Sequence, residues 1–248
     1  MISYQLYSSR NFPPMGDTLA MLAKAGFSAV EGYGALYSDA GKLAEMAAAL
    51  QAAGLTMPTG HFALDLIETQ PDFVISAAQT LGMETVYCPY LLPDMRPKDG
   101  AGWTAFGARL QAAGAPLRKA GLGFGWHNHD FEFRATPDGV IPQEAIFEGG
   151  PELEWEMDVA WVVRGGADPL DWIARHGGRI TSAHVKDIAP AGTVAEDGWA
   201  DVGHGTVDWP ALMVALREVG CEMFILEHDN PSDHLRFATR SLAAVKGF

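Results

Sequence analysis

The amino-acid sequence predicts a single closed (β/α)8 barrel over residues 1–248, and three observations predict it. Eight short apolar, strand-like runs alternate with amphipathic, helix-like segments along the whole chain. No composition break marks a domain boundary. The length of 248 residues lies in the range of one such barrel, and a chain that size buries about three quarters of the surface it exposes when unfolded.

The elements follow in order. Ile2 to Tyr7 reads as the first strand, and Pro13-Pro14 with Asp17 or Thr18 opens a helix that runs to about Ala25 and closes at Gly26. Phe27 to Gly32 is strand two, with Glu31 near its end, and an Ala- and Met-rich helix over about 40–53 stops at Gly54. Met57 to Phe62 makes strand three, ending near His61; a helix over 71–81 ends at Gly82, and Thr85 to Pro89 is strand four. A helix from about Trp103 to Ala120 leads through Gly121 to strand five, Leu122 to Asn128. Residues 130–150 carry two prolines, three glycines and no long apolar periodicity, so an irregular loop covering the mouth of a site is expected there. Glu154 to Val159 is strand six, 169–176 a helix and Ile180 to Val185 strand seven. A second irregular loop, 187–206, leads through Asp208 into a helix ending at Gly220; Phe224 to Glu227 is strand eight, and 233–245 the last helix. The stretch Asp201 to Trp209 reads either as a loop that folds over a ligand or joins a neighbouring subunit, or as a Gly-rich turn before a helix capped by Asp208.

Composition narrows the function classes. Asp plus Glu number 31 against 17 Lys plus Arg, a formal charge of -14, which argues against nucleic acid or an anionic membrane as partner because phosphate binding needs clustered cations. Apolar windows are interrupted well before the roughly 18 residues that make a spanning helix the default reading. No basic segment followed by an apolar run opens the chain, so no signal peptide is expected. Cys88 and Cys221 make no disulfide framework. The expectation is a cytoplasmic enzyme with small neutral or cationic ligands. Met and Trp near the long loops permit a homo-oligomer without requiring one.

The chemistry gathers at strand ends. Leu153 to Val159 alternates so that Glu154, Glu156 and Asp158 share one strand face. Such a row needs a cation, solvent or hydrogen-bond donors, because like charges raise one another's pKa and resist burial. His127, Asp158, His184 and Glu227 end strands five, six, seven and eight, at the barrel face where catalytic groups sit. One such residue is usually an ordinary polar group; four on adjacent strands point to a metal site. Two imidazoles and two carboxylates suit one divalent ion, Mn first, with Co, Zn, Fe or Mg as alternatives.

These residues carry a resemblance. The opening Gln5-Leu-Tyr-Ser-Ser-Arg10, Gly26-Phe-Ser-Ala-Val-Glu31, Trp126-His-Asn-His-Asp-Phe-Glu132, Glu156-Met-Asp158, His184-Val-Lys-Asp187 and Leu226-Glu-His228 resemble the xylose-isomerase-like TIM-barrel superfamily, within it the sugar phosphate isomerase/epimerase group that includes ketose 3-epimerases and inosose dehydratases. The resemblance spans the chain. It implies one divalent ion held by a strand-five Glu, a strand-six Asp, a strand-seven His and a strand-eight Glu. Asp158, His184 and Glu227 match the last three, whereas His127 stands in the strand-five place. In the ketose epimerases two metal-bound glutamates exchange protons on opposite faces of a carbon, so His127 disturbs that symmetry; Glu132, near a substrate-contacting Glu of those enzymes, can supply the missing acid/base group.

The expected reaction is proton removal next to a metal-chelated carbonyl, giving an enediolate. Glu227 is the first choice of base. Lys186 and His129 can polarise the oxyanion or protonate a leaving group, and Glu156 can orient His184 or bind a hydroxyl; the structural alternative for Lys186 is an ion pair with Glu156 or Asp158. Glu31 and His61 are candidate sugar-hydroxyl contacts, and Trp126 and Trp161 candidate stacking faces. The leading reading is a metal-dependent sugar isomerase or epimerase. Its nearest alternative is a β-eliminating lyase on a keto-sugar, keto-inositol or 3-keto-glycoside. A non-catalytic sugar-binding barrel and an abasic-site endonuclease rank lower, the latter because of the charge. The absence of a Gly-rich phosphate cradle or Arg cluster favours an unphosphorylated substrate.

Overall fold

The computed structural model describes residues 1–248. Its barrel strands are β1 (Ile2–Tyr4), β2 (Ala29–Gly32), β3 (Thr56–His61), β4 (Thr85–Cys88), β5 (Gly123–His127), β6 (Glu154–Asp158), β7 (Ile180–Val185) and β8 (Met223–Leu226). All pairings between them are parallel, in the order β1-β8-β7-β6-β5-β4-β3-β2. A parallel bridge between Gln5 and Glu31 brings β1 back to β2 and nearly closes the ring. Each expected strand is present.

Around the ring lie α1 (Met15–Ala25), α2 (Ala40–Ala53), α3 (Leu64–Thr69), α4 (Pro71–Leu81), α5 (Gly100–Lys119), α6 (Pro142–Gly149), α7 (Val159–Arg164), α8 (Pro169–His176), α9 (Trp209–Glu218) and α10 (His234–Val245). Asp39 caps α2 through the amides of Gly41 and Lys42, and Gly54 ends it in the left-handed conformation at φ 68°, which a residue with a Cβ adopts at a cost. No helix is long and apolar enough to cross a membrane. Cys88 and Cys221 are buried free thiols.

Two loop expectations need correction. Residues 130–150 are not irregular throughout: after a 3-10 turn at Phe131–Phe133 they form α6, which buries Ala145, Ile146 and Phe147. This helix packs on α5 rather than over the barrel mouth. Two glycines allow that approach, since a Cβ on Gly107 would lie 2.2 Å from the Ile146 carbonyl oxygen and one on Gly149 1.9 Å from that of Thr104. No capping side chain opens α6, whereas α8, equally short and read as a helix from the sequence, is capped by Asp168. Within 187–206, Asp187–Ile188 pairs antiparallel with Trp199–Ala200 as a short hairpin.

The barrel has two interiors. Between sheet and helices the core is apolar, with Val30, Met57, Val86, Phe124, Trp126, Trp155, Met157, Val185 and Leu226 buried; each such large side chain contributes about 1.5–3 kcal/mol on burial. Inside the ring most of the buried side chains are polar, Ser3, Gln5, Glu31, Thr59, His61, His127, Glu156, Ser182 and His184, with Tyr87 and Ile225 beside them. Barrels of this kind usually fill that space with branched aliphatic residues. Gly125 on β5 makes room, because a Cβ there would meet the Glu154 carbonyl oxygen at 2.4 Å and the Tyr87 ring at 2.9 Å.

Candidate metal centre and substrate cavity

Strand alternation turns Trp155 and Met157 toward the helices and Glu154, Glu156 and Asp158 into the ring. The β6 to β7 register shifts between Trp155 and Glu156, after which Asp158 stands opposite His184. Asn128 ties β5 to β6 from the other side: its Oδ1 accepts from Trp155 Nε1 at 2.8 Å and Asp158 N at 3.0 Å.

A deep layer of imidazoles and carboxylates supports the site. Glu156 Oε2 faces His61 Nε2 at 2.5 Å, His127 Nδ1 at 3.1 Å and His184 Nε2 at 3.3 Å, while Glu156 Oε1 accepts from Ser182 Oγ at 3.0 Å. Glu31 Oε1 accepts from Gln5 Nε2 at 2.7 Å and lies 2.7 Å from His184 Nε2. Burial alone would push both carboxyls up, but the charges of His61 and His184 outweigh it. Glu31 falls well below the usual carboxylate range and Glu156 to about 2. The same pairing overrides the burial of the imidazoles, raising His61 to about 10 and His184 well above its ordinary value. His127 goes the other way: burial, reinforced by the charge of His184, keeps it neutral. With Nδ1–H directed at Glu156, His127 keeps its lone pair on Nε2.

Above this layer three expected ligands converge. Asp158, His184 and Glu227 each bring one ligand atom within 4.8 Å of the others. His184 Nδ1 is 2.9 Å from Glu227 Oε2 and 4.0 Å from Asp158 Oδ2. Asp158 Oδ1 caps α7 by accepting from Trp161 N at 2.9 Å. Its Oδ2 is buried without an aligned hydrogen bond, although Lys186 Nζ lies 3.2 Å away. Burial pushes Asp158 up to about 6 against the pull of Lys186 and His184; at Glu227 those two charges outweigh burial and hold the carboxyl well below its ordinary value.

These residues fit a divalent ion. Asp158 Oδ2, with the Lys186 ammonium beside it but no aligned hydrogen bond, is an acceptor for a cation, and an imidazole with two carboxylates is a donor set for Mn, Fe, Co or Zn. Asp158, Glu227 and Asp229 surround Lys186, so carboxylates outnumber the ammonium where the ion would sit. The expected quartet is nevertheless divided. His127 groups with His61, Glu156 and His184, whose ligand atoms form a second cluster of the same kind. In that deeper cluster the nitrogens point their protons at carboxylates, the pattern that orients metal-binding imidazoles.

A cavity of about 420 Å³ opens over the centre, with Tyr7, Tyr33 and Tyr90 on its walls and His61, His127, His129, Lys186, Glu227 and Asp229 also lining it. Other expected contacts lie elsewhere. Glu31 and Glu156 are under the floor, fully buried. Trp126 is wholly buried, edge-on to Phe106, and its Nε1 donates to Glu132 Oε1 at 3.1 Å. With His127 facing inward, the alternation of β5 sends Trp126 outward. Glu132 is also turned from the cavity, since its Oε2 accepts from His129 N at 3.0 Å; burial raises its carboxyl to about 8. Trp161 stands beside the centre, its ring 5.3 Å from that of His129 and 5.2 Å from Lys186 Nζ. His129 Nδ1 is buried without a partner.

Three features escaped the sequence reading. Asp229, whose Oδ1 is 2.9 Å from Lys186 Nζ, is two residues past Glu227, and the alternation that placed Glu227 would have shown it. Tyr33 and Tyr90 come from loops with no pattern to mark them, and Tyr7, read as the end of strand one, lies in a 3-10 turn over Leu6–Ser9. Asp187 shapes the rim: it accepts from the amides of Ile188, Gly203, Gly205 and Val207 at 2.8–3.1 Å.

Comparison with known proteins agrees with this architecture. The chain superposes on a sugar phosphate isomerase/epimerase from Parabacteroides distasonis with a TM-score of 0.81 and 22% identity, covering 99% of this chain and 93% of that one. It matches the IolI protein with a bound zinc atom at TM-score 0.76 and 15% identity, over 99% and 95% of the two chains. Against a 3-keto-D-glucoside 4-epimerase from E. coli the TM-score is 0.73 at 17% identity, over 100% and 99%. No curated protein sequence matches significantly. The family profile described as xylose isomerase-like TIM barrel matches residues 19–245, and the chain belongs to that family.

Proposed function

We propose that the protein is a divalent-ion-dependent enzyme that moves a proton at the carbon next to a carbonyl in a small, unphosphorylated sugar or keto-sugar, with isomerisation or epimerisation as the outcome. The observation that carries this reading is the convergence of Asp158, His184 and Glu227 beneath a cavity, with Asp158 Oδ2 buried without an aligned hydrogen bond. Mn is the ion we favour, with Co, Zn, Fe or Mg as alternatives. When bound, such an ion polarises a carbonyl and acidifies the neighbouring C–H.

The chain's own groups have distinct tasks. Glu227, held ionised by Lys186 and His184, is the base that takes the proton. Lys186 carries the hydrogen-bonding positive charge for a substrate oxygen. His127, neutral and oriented by Glu156, presents Nε2 as a further ligand or acceptor. The deep layer keeps these rings in one orientation and excludes water from beneath. Lys186 is the only Lys or Arg among the cavity residues, and three carboxylates surround it. That arrangement disfavours a phosphate group, while tyrosine faces suit a sugar ring.

A second reading, β-elimination, is favoured by the unpartnered Nδ1 of His129 in the cavity wall. One base with one hydrogen-bonding group near a leaving oxygen suffices for a lyase, whereas an epimerase must serve both faces of a carbon. Equilibrium dialysis against Mn²⁺, Co²⁺ and Zn²⁺, followed by turnover assays and product mass, tests the proposal. The expected result is about one ion per chain, lost in Asp158→Ala and Glu227→Ala together with activity. If both variants kept ion and turnover, the proposal would be abandoned. A product of unchanged mass identifies the isomerase or epimerase; loss of water or an aglycone identifies the lyase.

A further inference from the structure

Lys186 is held in an unusual position. Its side chain is 1% exposed, and Nζ lies 2.8 Å from Glu227 Oε2, 3.2 Å from Asp158 Oδ2 and 2.9 Å from Asp229 Oδ1. Trp199 and Trp161 flank the ammonium at 4.8 and 5.2 Å from their ring centroids. Two of its three partners, Asp158 and Glu227, are residues to which the proposed ion site assigns the ion. We infer that Lys186 is a built-in competitor for that ion, and that ion entry moves its ammonium off Asp158 and Glu227, toward Asp229 and the cavity. This inference rests on the ion site proposed above.

Lone pairs make the competition specific. Glu227 Oε2 faces two nitrogens, His184 Nδ1 at 2.9 Å and Lys186 Nζ at 2.8 Å, which occupies both of its acceptor positions. An ion held by Glu227 and His184 would take the place of these contacts. A divalent ion and an ammonium sharing two carboxylates in a buried site also repel each other, with little water to screen them. The third partner supplies the way out. Asp229 is 25% exposed on its side chain and lines the cavity, so the ammonium can yield two carboxylates while keeping one. The unbranched four-carbon stem of lysine permits the swing. The ammonium would then reach a substrate oxygen only in ion-loaded protein, tying the appearance of the acid group to that of the ion.

Two measurements on the full chain test this. In a chelator competition with Mn²⁺ or Zn²⁺, Lys186→Met should bind the ion at least about tenfold tighter than the wild type, because an ion that must first displace the ammonium loses affinity in proportion to the fraction of chains in which the pair is free. In the wild type, acetic anhydride labelling read by peptide mass spectrometry should show Lys186 becoming several-fold more reactive on ion addition, while the other lysines do not change. Equal or weaker ion binding by Lys186→Met, with unchanged Lys186 labelling in the wild type, would overturn the inference and leave the ion site standing. No ion binding by either protein would remove the ion site and the inference with it. The labelling arm needs no variant, so a misfolded Lys186→Met would not shield the idea.

Discussion

Glu156 receives three imidazoles on one oxygen, and this contact sets the electrostatics of the barrel interior. Glu31, 3.2 Å from the same His61 nitrogen, and Glu156 together hold His61 charged; Glu156→Gln keeps the shape but removes one of these two charges, so the His61 pKa should fall from about 10, measured by NMR titration of the imidazole. Stability follows with a definite sign. His61 has a folded pKa above its unfolded one, so its contribution is complete below pH 6.5 and is lost as pH rises through about 10. Wild-type unfolding free energy in urea should therefore fall over that window, and Glu156→Gln should make this part of the profile shallower, with Glu31 still beside His61. The variant should also be less stable by about 3–5 kcal/mol near neutrality, the usual result of breaking a buried charge pair. An unchanged profile would mean that Glu156 does not hold His61 charged. The row of carboxylates on β6 was legible because a strand's period is two, and a row of that kind calls for positive partners. The same rule, applied to the neighbours of His127 and Glu227, excludes Trp126 from the cavity and brings in Asp229. Glu132 was misplaced for another reason: a resemblance gives an approximate position along the chain, not the direction of a side chain.

At the scale of elements, two packing devices position the site. The first is the α5 to α6 contact across Gly107 and Gly149, where added methyl groups would meet backbone atoms. Gly107→Ala should cost at least about 1–3 kcal/mol, the usual penalty of overpacking, read as a lower urea midpoint with an unchanged slope. A midpoint equal to wild type would contradict the close contact. The second is Asp187, whose carboxylate gathers four amides and holds the segment after the hairpin. Asp187→Ala should leave the barrel folded but open residues 201–207 to limited proteolysis, while wild type resists. Strands and longer helices were legible because apolar periodicity and glycine stops repeat over many residues. The six-residue helices α3 and α7, the eight-residue α6 and the hairpin were not, because their conformation is set by tertiary contacts rather than local pattern.

For the whole molecule, a ring of eight parallel strands brings residues 31, 61, 127, 156, 158, 184 and 227 from six strands or strand ends to one place. The fold supplies proximity and the polar lumen supplies orientation. A charge of -14 and a cavity whose one lysine is ringed by carboxylates fit neutral polyols better than phosphorylated ones. In isothermal titration against ion-loaded protein, ketoses or keto-inositols should bind and their phosphate esters should bind more weakly; tighter binding of the esters would reverse that assignment. The most direct test of proton abstraction is deuterium exchange. Ion-loaded protein, incubated in deuterated water with ketoses, keto-inositols and 3-keto-glycosides, should introduce deuterium beside the carbonyl of at least one of them, and Glu227→Gln should not. Ion-loaded wild type that binds such a sugar yet exchanges no proton with solvent, or exchange that survives in Glu227→Gln, would contradict the account.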